Sequence, residues 1–303
     1  MIEFRVGEAS PANTFFAIWM AEAAGLYKQH GLDFAIVKMV GGSETGPALS
    51  SERIHLMHIG MSSVVRANSS GFNVTTIGSL SNVIRSTLFG SPDINSIEDL
   101  KGKEVGISSA GSESELSTIV ALKKLGLARD DIQFKEIGVE RLSHLKSGTV
   151  KATMLGEPLR SVALAEDMLS LCDLLTERMP WLYSGLVVDK DYLMKNREII
   201  LRFMRATIEG NYLAVSEPDE AKRVMSKVLD IKDPKNLELT YQNFKTYTPL
   251  NAEVTVEGGK NILNFVLEKN KRKDIGEYID ETIHEELRDS GFFEEIKNKY
   301  KID

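Results

Sequence analysis

Residues 104–115 read Glu104-Val105-Gly106-Ile107-Ser108-Ser109-Ala110-Gly111-Ser112-Glu113-Ser114-Glu115. Residues 104–107, with Val105 and Ile107, make a short strand. Five small residues then form a loop. Ser112, with Glu115 three positions on, has the spacing of a capping box that opens a helix, and Gly126 ends that helix. Strand, small-residue loop and capped helix together are half of a βαβ unit, and the pattern repeats in both directions. Downstream, residues 132–136 read as a strand, 141–146 as a helix and 150–154 as a strand. Upstream, a strand at 2–7 precedes a helix carrying Phe15, Phe16, Ile18, Trp19 and Met20, with Asn13 placed to cap it and Gly25 to stop it. A strand at 34–40, a helix at 46–51, a strand at 54–59, a helix through Ala67 and a strand at 74–77 follow. Strands alternating with helices imply an α/β fold with mainly parallel sheets covered on both faces.

Two stretches are alike: Ala48-Leu49-Ser50-Ser51-Glu52-Arg53-Ile54-His55 and His144-Leu145-Lys146-Ser147-Gly148-Thr149-Val150-Lys151. Each leads a helix into a strand, which suggests a weak duplication and two lobes of similar build. The last third is helical. Residues 198–215 carry Ile199, Ile200, Phe203 and Met204 on one face; Pro218 and Pro234 sit at helix starts, the latter behind Asp233 as cap. Residues 261–267 and 278–287 carry further apolar stripes, closed by Gly291. Short crossings between lobes are expected near 84–89 and 183–188.

Composition narrows the function. The 303 residues hold 37 Lys+Arg and 44 Asp+Glu, a formal charge of −7, which disfavours a nucleic-acid partner. With 42% hydrophobic and 27% charged residues the chain is a folded protein rather than a disordered one. No stretch approaches the roughly 18 apolar residues a membrane span needs. Cys172 is alone, which excludes an internal disulfide and a multi-cysteine metal cluster. It lies in a helix-like run, Met168-Leu169-Ser170-Leu171-Cys172, as a small apolar residue with no readable base beside it. His55 and His58 fall on opposite faces of a strand, which argues against a shared metal. Neither a P-loop nor a Gly-x-Ser-x-Gly elbow is present. No catalytic residue, metal or cofactor is therefore expected. Met1 runs straight into a strand with no leader pattern, so the expectation is either a cytosolic protein or one whose export signal has been removed.

Several segments resemble one family. Ala24-Gly25-Leu26-Tyr27-Lys28-Gln29-His30-Gly31-Leu32 is similar to its G-L-Y-x-x-x-G-L motif, and Gly41-Gly42 and Ala48-Leu49 follow at the proper distance. Ile97-Glu98-Asp99-Leu100-Lys101-Gly102-Lys103-Glu104-Val105-Gly106-Ile107 matches I-x-D-L-K-G-K-x-V-G-V, with Gly111-Ser112 as the helix-opening pair. Leu145, Gly148, Val150 and Pro158, then Tyr278-Ile279-Asp280 and Ser290-Gly291-Phe292, extend the match over nearly the whole chain. The chain resembles the type II periplasmic substrate-binding proteins of the nitrate, sulfonate, taurine and thiamine-precursor ABC transporters. Glu52, His55 and Lys151 stand where the family usually has Gly or Asp, so the resemblance implies a fold more than a particular ligand.

That resemblance implies two α/β lobes with a ligand cleft between them: residues 1–88 with 186–303, and 89–185. It implies capture of a small organic solute (a sulfonate, carboxylate, nitrate-like anion or pyrimidine) by hinge closure, for delivery to a membrane permease. A monomer is expected, periplasmic or anchored at the cell surface, or cytoplasmic if Met1 is the native start. The alternative is a cytosolic enzyme on the same fold, such as a menaquinone-pathway lyase. The yeast-type pyrimidine synthases of this fold carry a Cys-rich metal motif that one cysteine cannot supply.

Ligands of open α/β sheets sit beyond the carboxyl ends of the strands. The candidate contacts are accordingly Ser10 and Asn13, Gly42 and Ser43, Met61 and Ser62, Ser81 in a loop at 79–82, Ser109, Gly111 and Ser112, and Glu157. Small hydroxyls and backbone N–H groups suit such a site. Trp181 is the candidate for stacking on a flat ring. Each has a plainer reading: Ser112 as a cap, Gly42 as a turn, Glu157 as an exposed carboxylate, Trp181 as packing. Arg85 and Arg160 read as solvated surface charges.

Overall fold

The computed structural model describes residues 1–9, 12–267 and 274–302. The chain forms two compact units, one of Met1–Asn82 with Pro180–Asp303, the other of Val83–Met179. It passes between them at 82–83 and 179–180, and residues 183–188 lie inside a strand.

In the first unit the order is β1 (Ile2–Glu8), α1 (Phe16–Ala23), α2 (Leu26–Gln29), β2 (Leu32–Lys38), α3 (Thr45–Ser50), β3 (Leu56–Ile59), α4 (Met61–Ser69) and β4 (Val74–Val83). The second unit follows with β5 (Ser86–Gly90), β6 (Glu104–Ile107), α5 (Glu113–Lys124), β7 (Gln133–Glu136), α6 (Arg141–Lys146), β8 (Ala152–Gly156), α7 (Leu159–Ala165) and β9 (Ser170–Asp173). The chain returns to the first unit through β10 (Pro180–Asp189). It ends in α8 (Lys190–Lys195), α9 (Arg197–Ser216), α10 (Pro218–Leu229), α11 (Pro234–Tyr247), α12 (Val256–Val266), α13 (Thr282–Asp289) and α14 (Phe292–Tyr300).

The sheets have orders β2-β1-β3-β10-β4 and β7-β6-β8-β5-β9. β1 is parallel to β2 and β3, and β6 to β7 and β8. The fourth strand of each runs the other way, β10 against β3 and β5 against β8. The sheets are therefore mixed, not mainly parallel, because the strand that carries the chain into each sheet from outside the local βαβ series enters in the opposite sense. The two similar sequence stretches lead into β3 and β8, which hold the same place in the two orders.

The first unit's core explains its sequence. Phe4 and Val6 of β1 are fully buried against α1 and α9, with Phe4 stacked on Phe203 at 4.9 Å. Phe15, Phe16 and Trp19 all belong to this core. Glu209 on α9 accepts hydrogen bonds from Lys299 and, at 2.9 Å, from the Tyr300 hydroxyl, which ties the end of the chain to that helix. Asp233 caps α11 by accepting from the Asn236 N–H at 2.7 Å. Phe89, Leu142, Leu145, Leu155 and Ala163 form a core cluster of the second unit.

Further sequence expectations are corrected. Asn13 is no helix cap: its amide donates to Asn243 Oδ1 of α11 at 2.8 Å, and no side chain caps the turn it opens. Residues 79–82 are not a loop but the second half of β4, which pairs with β10; the Ser79 hydroxyl adds a bond to the Ser184 carbonyl at 3.1 Å and its N–H one to the Ala252 carbonyl at 2.8 Å. Cys172 lies on strand β9, half-buried, paired opposite Leu88. Arg85 and Arg160 are not solvated charges: Arg85 is 2% exposed, and Arg160 pairs with Asp173 at 2.8 Å.

Candidate functional site

At the carboxyl end of the first unit's sheet, two of the expected loops meet. α4 opens at Gly60 with no side-chain cap, and Ser62 and Ser63 of its first turn are buried. The backbone of Gly42 lies against this turn: a Cβ there would stand 2.2 Å from Ser63 Oγ. A side chain at 42 would collide with Ser63, so Gly42 has a packing cause, whereas Gly41 has open space beside it. Ser43 beside it is exposed. Met61 is fully buried toward α12, and Ser81 is buried in β4. Trp181, 1% exposed, packs edge-on against Phe265 of α12 at 5.8 Å. Asn13 is buried against α11. Ser10 lies outside the described residues.

The same edge carries Glu8 and Lys38, which the sequence reading passed over, and His58, which it weighed only as a metal ligand. Glu8 ends β1, in register with Lys38 of β2 and His58 of β3. The Glu8 carboxylate is 1% exposed, and its Oε2 accepts from the Lys38 ammonium. His58 is hydrogen-bonded to the Ser184 hydroxyl of β10 and to the Thr14 backbone. Burial pulls its pKa down to about 4, so the ring is neutral near pH 7. The polar row therefore runs from β2 to β10 across the sheet. A signal for it was present: Phe4, Val6 and Glu8 share one face by the two-residue period, so a carboxylate stands in an inward register.

In the second unit, Ser109, Gly111 and Ser112 do come together, at the N-terminus of α5. Ser112 Oγ accepts from the Glu115 N–H at 3.4 Å. The reciprocal arm is shifted: the Glu115 carboxylate accepts from Gly111 N–H rather than from the cap's own. Arg129 holds the other Glu115 oxygen at 3.0 Å. The hydroxyls of Ser108, Ser112 and Ser114 form a ring, with Ser114 at 2.8 Å from each of the others. Small donors and acceptors thus cluster beyond the end of β6, where a polar solute can be held by groups that rotate to suit it. Glu157, beyond β8, is buried. It accepts from the Ser161 N–H at 3.1 Å and hydroxyl at 2.6 Å, and from Arg160 at 3.3 Å. Arg160 also donates to Thr87 at 2.8 Å, which makes a closed polar network of β5, α7 and β9.

Comparison with known proteins places this architecture. Residues 12–221 match the NMT1/THI5-like family. The 4-amino-5-hydroxymethyl-2-methylpyrimidine phosphate synthase THI5 of Saccharomyces cerevisiae is 23% identical over 251 residues, 78% of this chain and 72% of the relative. The riboflavin-binding protein RibY of Chloroflexus aurantiacus is 25% identical over 172 residues, covering 52% of this chain and 46% of that protein. Among solved structures, a Bordetella bronchiseptica protein superposes with a TM-score of 0.82 at 16% identity, over 99% of this chain and 98% of its own. The alkanesulfonate-binding protein SsuA of Xanthomonas axonopodis, bound to MOPS, gives 0.74 at 16% identity over 87% and 91%. The chain belongs to the NMT1/THI5-like family and has the α/β fold of the type II periplasmic binding proteins.

Proposed function

We propose that this protein is the solute-binding component of an ABC-type importer, capturing a small organic molecule and releasing it unchanged to a membrane permease. The observation that carries the reading is the fold likeness to SsuA over 87% of the chain. The serine ring at α5 and the Gly42–Ser63 contact at α4 support it, since both lie where open α/β sheets bind ligands. No helix among the described residues is long and apolar enough to cross a membrane. The protein acts as a monomer, in the periplasm or at the cell surface.

A thermal-shift panel of sulfonates, carboxylates, nitrate and pyrimidines tests this. One class is expected to raise the melting temperature, by about 2.7 kcal/mol of added stability at a hundredfold excess over Kd. Mass spectrometry is expected to recover that compound intact. A panel with no stabilising member, or a compound recovered in altered form, defeats the reading. The second reading is an enzyme that forms a pyrimidine phosphate, favoured by the match to the yeast synthase; appearance of such a product is its signature.

A further inference from the structure

One helix, α12, takes hold of both strands by which the chain passes between the units. The crossings lie at 82–83, where β4 ends, and at 179–180, where β10 begins. At the first, the Asn82 amide donates to the Glu253 carbonyl at 2.8 Å, in the segment that leads into α12. At the second, the Asn261 amide of α12 itself donates to the Pro180 carbonyl at 2.9 Å. Phe265, one turn further along the helix, packs on Trp181. The helix backbone is pressed on the same strand: a Cβ on Gly258 would stand 2.6 Å from the Trp181 nitrogen and 2.8 Å from that of Leu182. All these contacts lie within the first unit.

The segment ahead of α12 is held in turn. From α9 the Asn211 amide donates to the Leu250 carbonyl at 3.1 Å and the Tyr212 hydroxyl to Asn251 Oδ1 at 2.7 Å. Ala252, fully buried, stands in the left-handed region at φ 54°. A non-glycine residue stays there only where its surroundings over-determine it, and such strain gathers at switch regions. Arg178, beside the second crossing, is also left-handed, at φ 48°.

We propose that α12 is the seat of a hinge: it fixes the first-unit ends of both crossing strands, so that the units move by bending the chain only at residues 84–85 and 177–179. The assignment rests on the solute-binding reading and says where closure bends. Neither stretch belongs to a strand, and hinges are a few such residues that absorb the change in dihedral angles. A crossing strand left unfastened would carry the bend on into β4 or β10.

Pulsed electron double resonance on the full chain tests the assignment. Spin labels are placed by Val139→Cys in the second unit, 49% exposed, and Met194→Cys in the first, 75% exposed, with Cys172→Ser removing the native thiol. Asn261→Ala is expected to broaden the distribution of distances between the labels roughly twofold, because the bend spreads into β10. Asp233→Ala, which uncaps α11 of the same unit, is expected to leave the width unchanged. Circular dichroism checks folding; if Asn261→Ala does not fold, Asn82→Ala, which frees the other crossing, is expected to broaden the distribution in the same way. A folded variant with the width of its parent overturns the assignment, and so does equal broadening by Asp233→Ala. The measurement needs no ligand, so its failure leaves the solute-binding reading standing, and that reading is decided by the thermal-shift panel alone.

Discussion

His58 is a base that the fold keeps uncharged. Burial brings its pKa from the ordinary 6.5 to about 4, against the opposing hydrogen bond to the Thr14 backbone. The unfolded chain takes up this proton below pH 6.5, whereas the folded chain resists it until about pH 4. The stabilisation is therefore complete above 6.5 and is lost as pH falls toward 4, by up to about 3 kcal/mol. His55 and His284, also drawn down by burial, add to the same slope. His58→Gln, whose amide can replace the ring nitrogen facing Ser184, is expected to flatten part of the decline in melting temperature over that range. A variant as acid-sensitive as the wild type counts against the assignment. The sequence shows two histidines three apart on a strand and stops there. What makes His58 special is its register opposite Glu8 and the phenyl edge of Phe15 at 5.0 Å, both supplied by other segments.

At the scale of elements, α5 is the best test of what sequence alone conveys. Its cap was legible because Ser112 and Glu115 are local, and the structure gives Ser112 that role. Ser112→Ala is expected to cost about 1 kcal/mol, read as a lower denaturant midpoint at unchanged slope. Loss of a partner for the Ser108 and Ser114 hydroxyls adds to it. A cost below a few tenths of a kcal/mol would show that neither the cap nor the serine ring contributes measurably to the stability of α5. Gly111, at φ 68°, sits in the left-handed region, so bulky replacements there strain the backbone as well as blocking the loop. Ser109 is the cleaner position for a blocking change. The second half of β4 was illegible for the opposite reason. Gly78-Ser79-Leu80-Ser81-Asn82 has the composition of a turn, and its place beside the distant strand β10 makes it a strand. Cys172 likewise owes its strand to pairing with Leu88, 84 positions away by subtraction of the two numbers. Local signals carry caps and helix ends; long-range pairing decides strands with turn-like sequence.

The whole molecule follows from the same asymmetry between local and distant partners. The two sheets share one order of strands, but they are assembled from the chain differently. All five strands of the second sheet fall within Val83–Met179, and so do the core residues Phe89, Leu142, Leu145, Leu155 and Ala163. The first sheet instead needs β10 between β3 and β4, and its core needs Phe203, Met204 and Phe244 from beyond residue 180. Nothing in residues 1–82 can replace them: without β10, β4 has no strand to pair with in that sheet. Residues 83–179 expressed alone are therefore expected to melt cooperatively with α/β circular dichroism, since one contiguous segment can carry a complete sheet and core. Residues 1–82 alone are expected to stay unfolded, and to gain structure only when residues 180–303 are supplied. A non-cooperative 83–179 segment would mean that its sheet depends on the rest of the chain. A cooperative 1–82 segment would mean that β10 is added to an already formed sheet, and the observed strand order would then reflect late docking, not a requirement of folding.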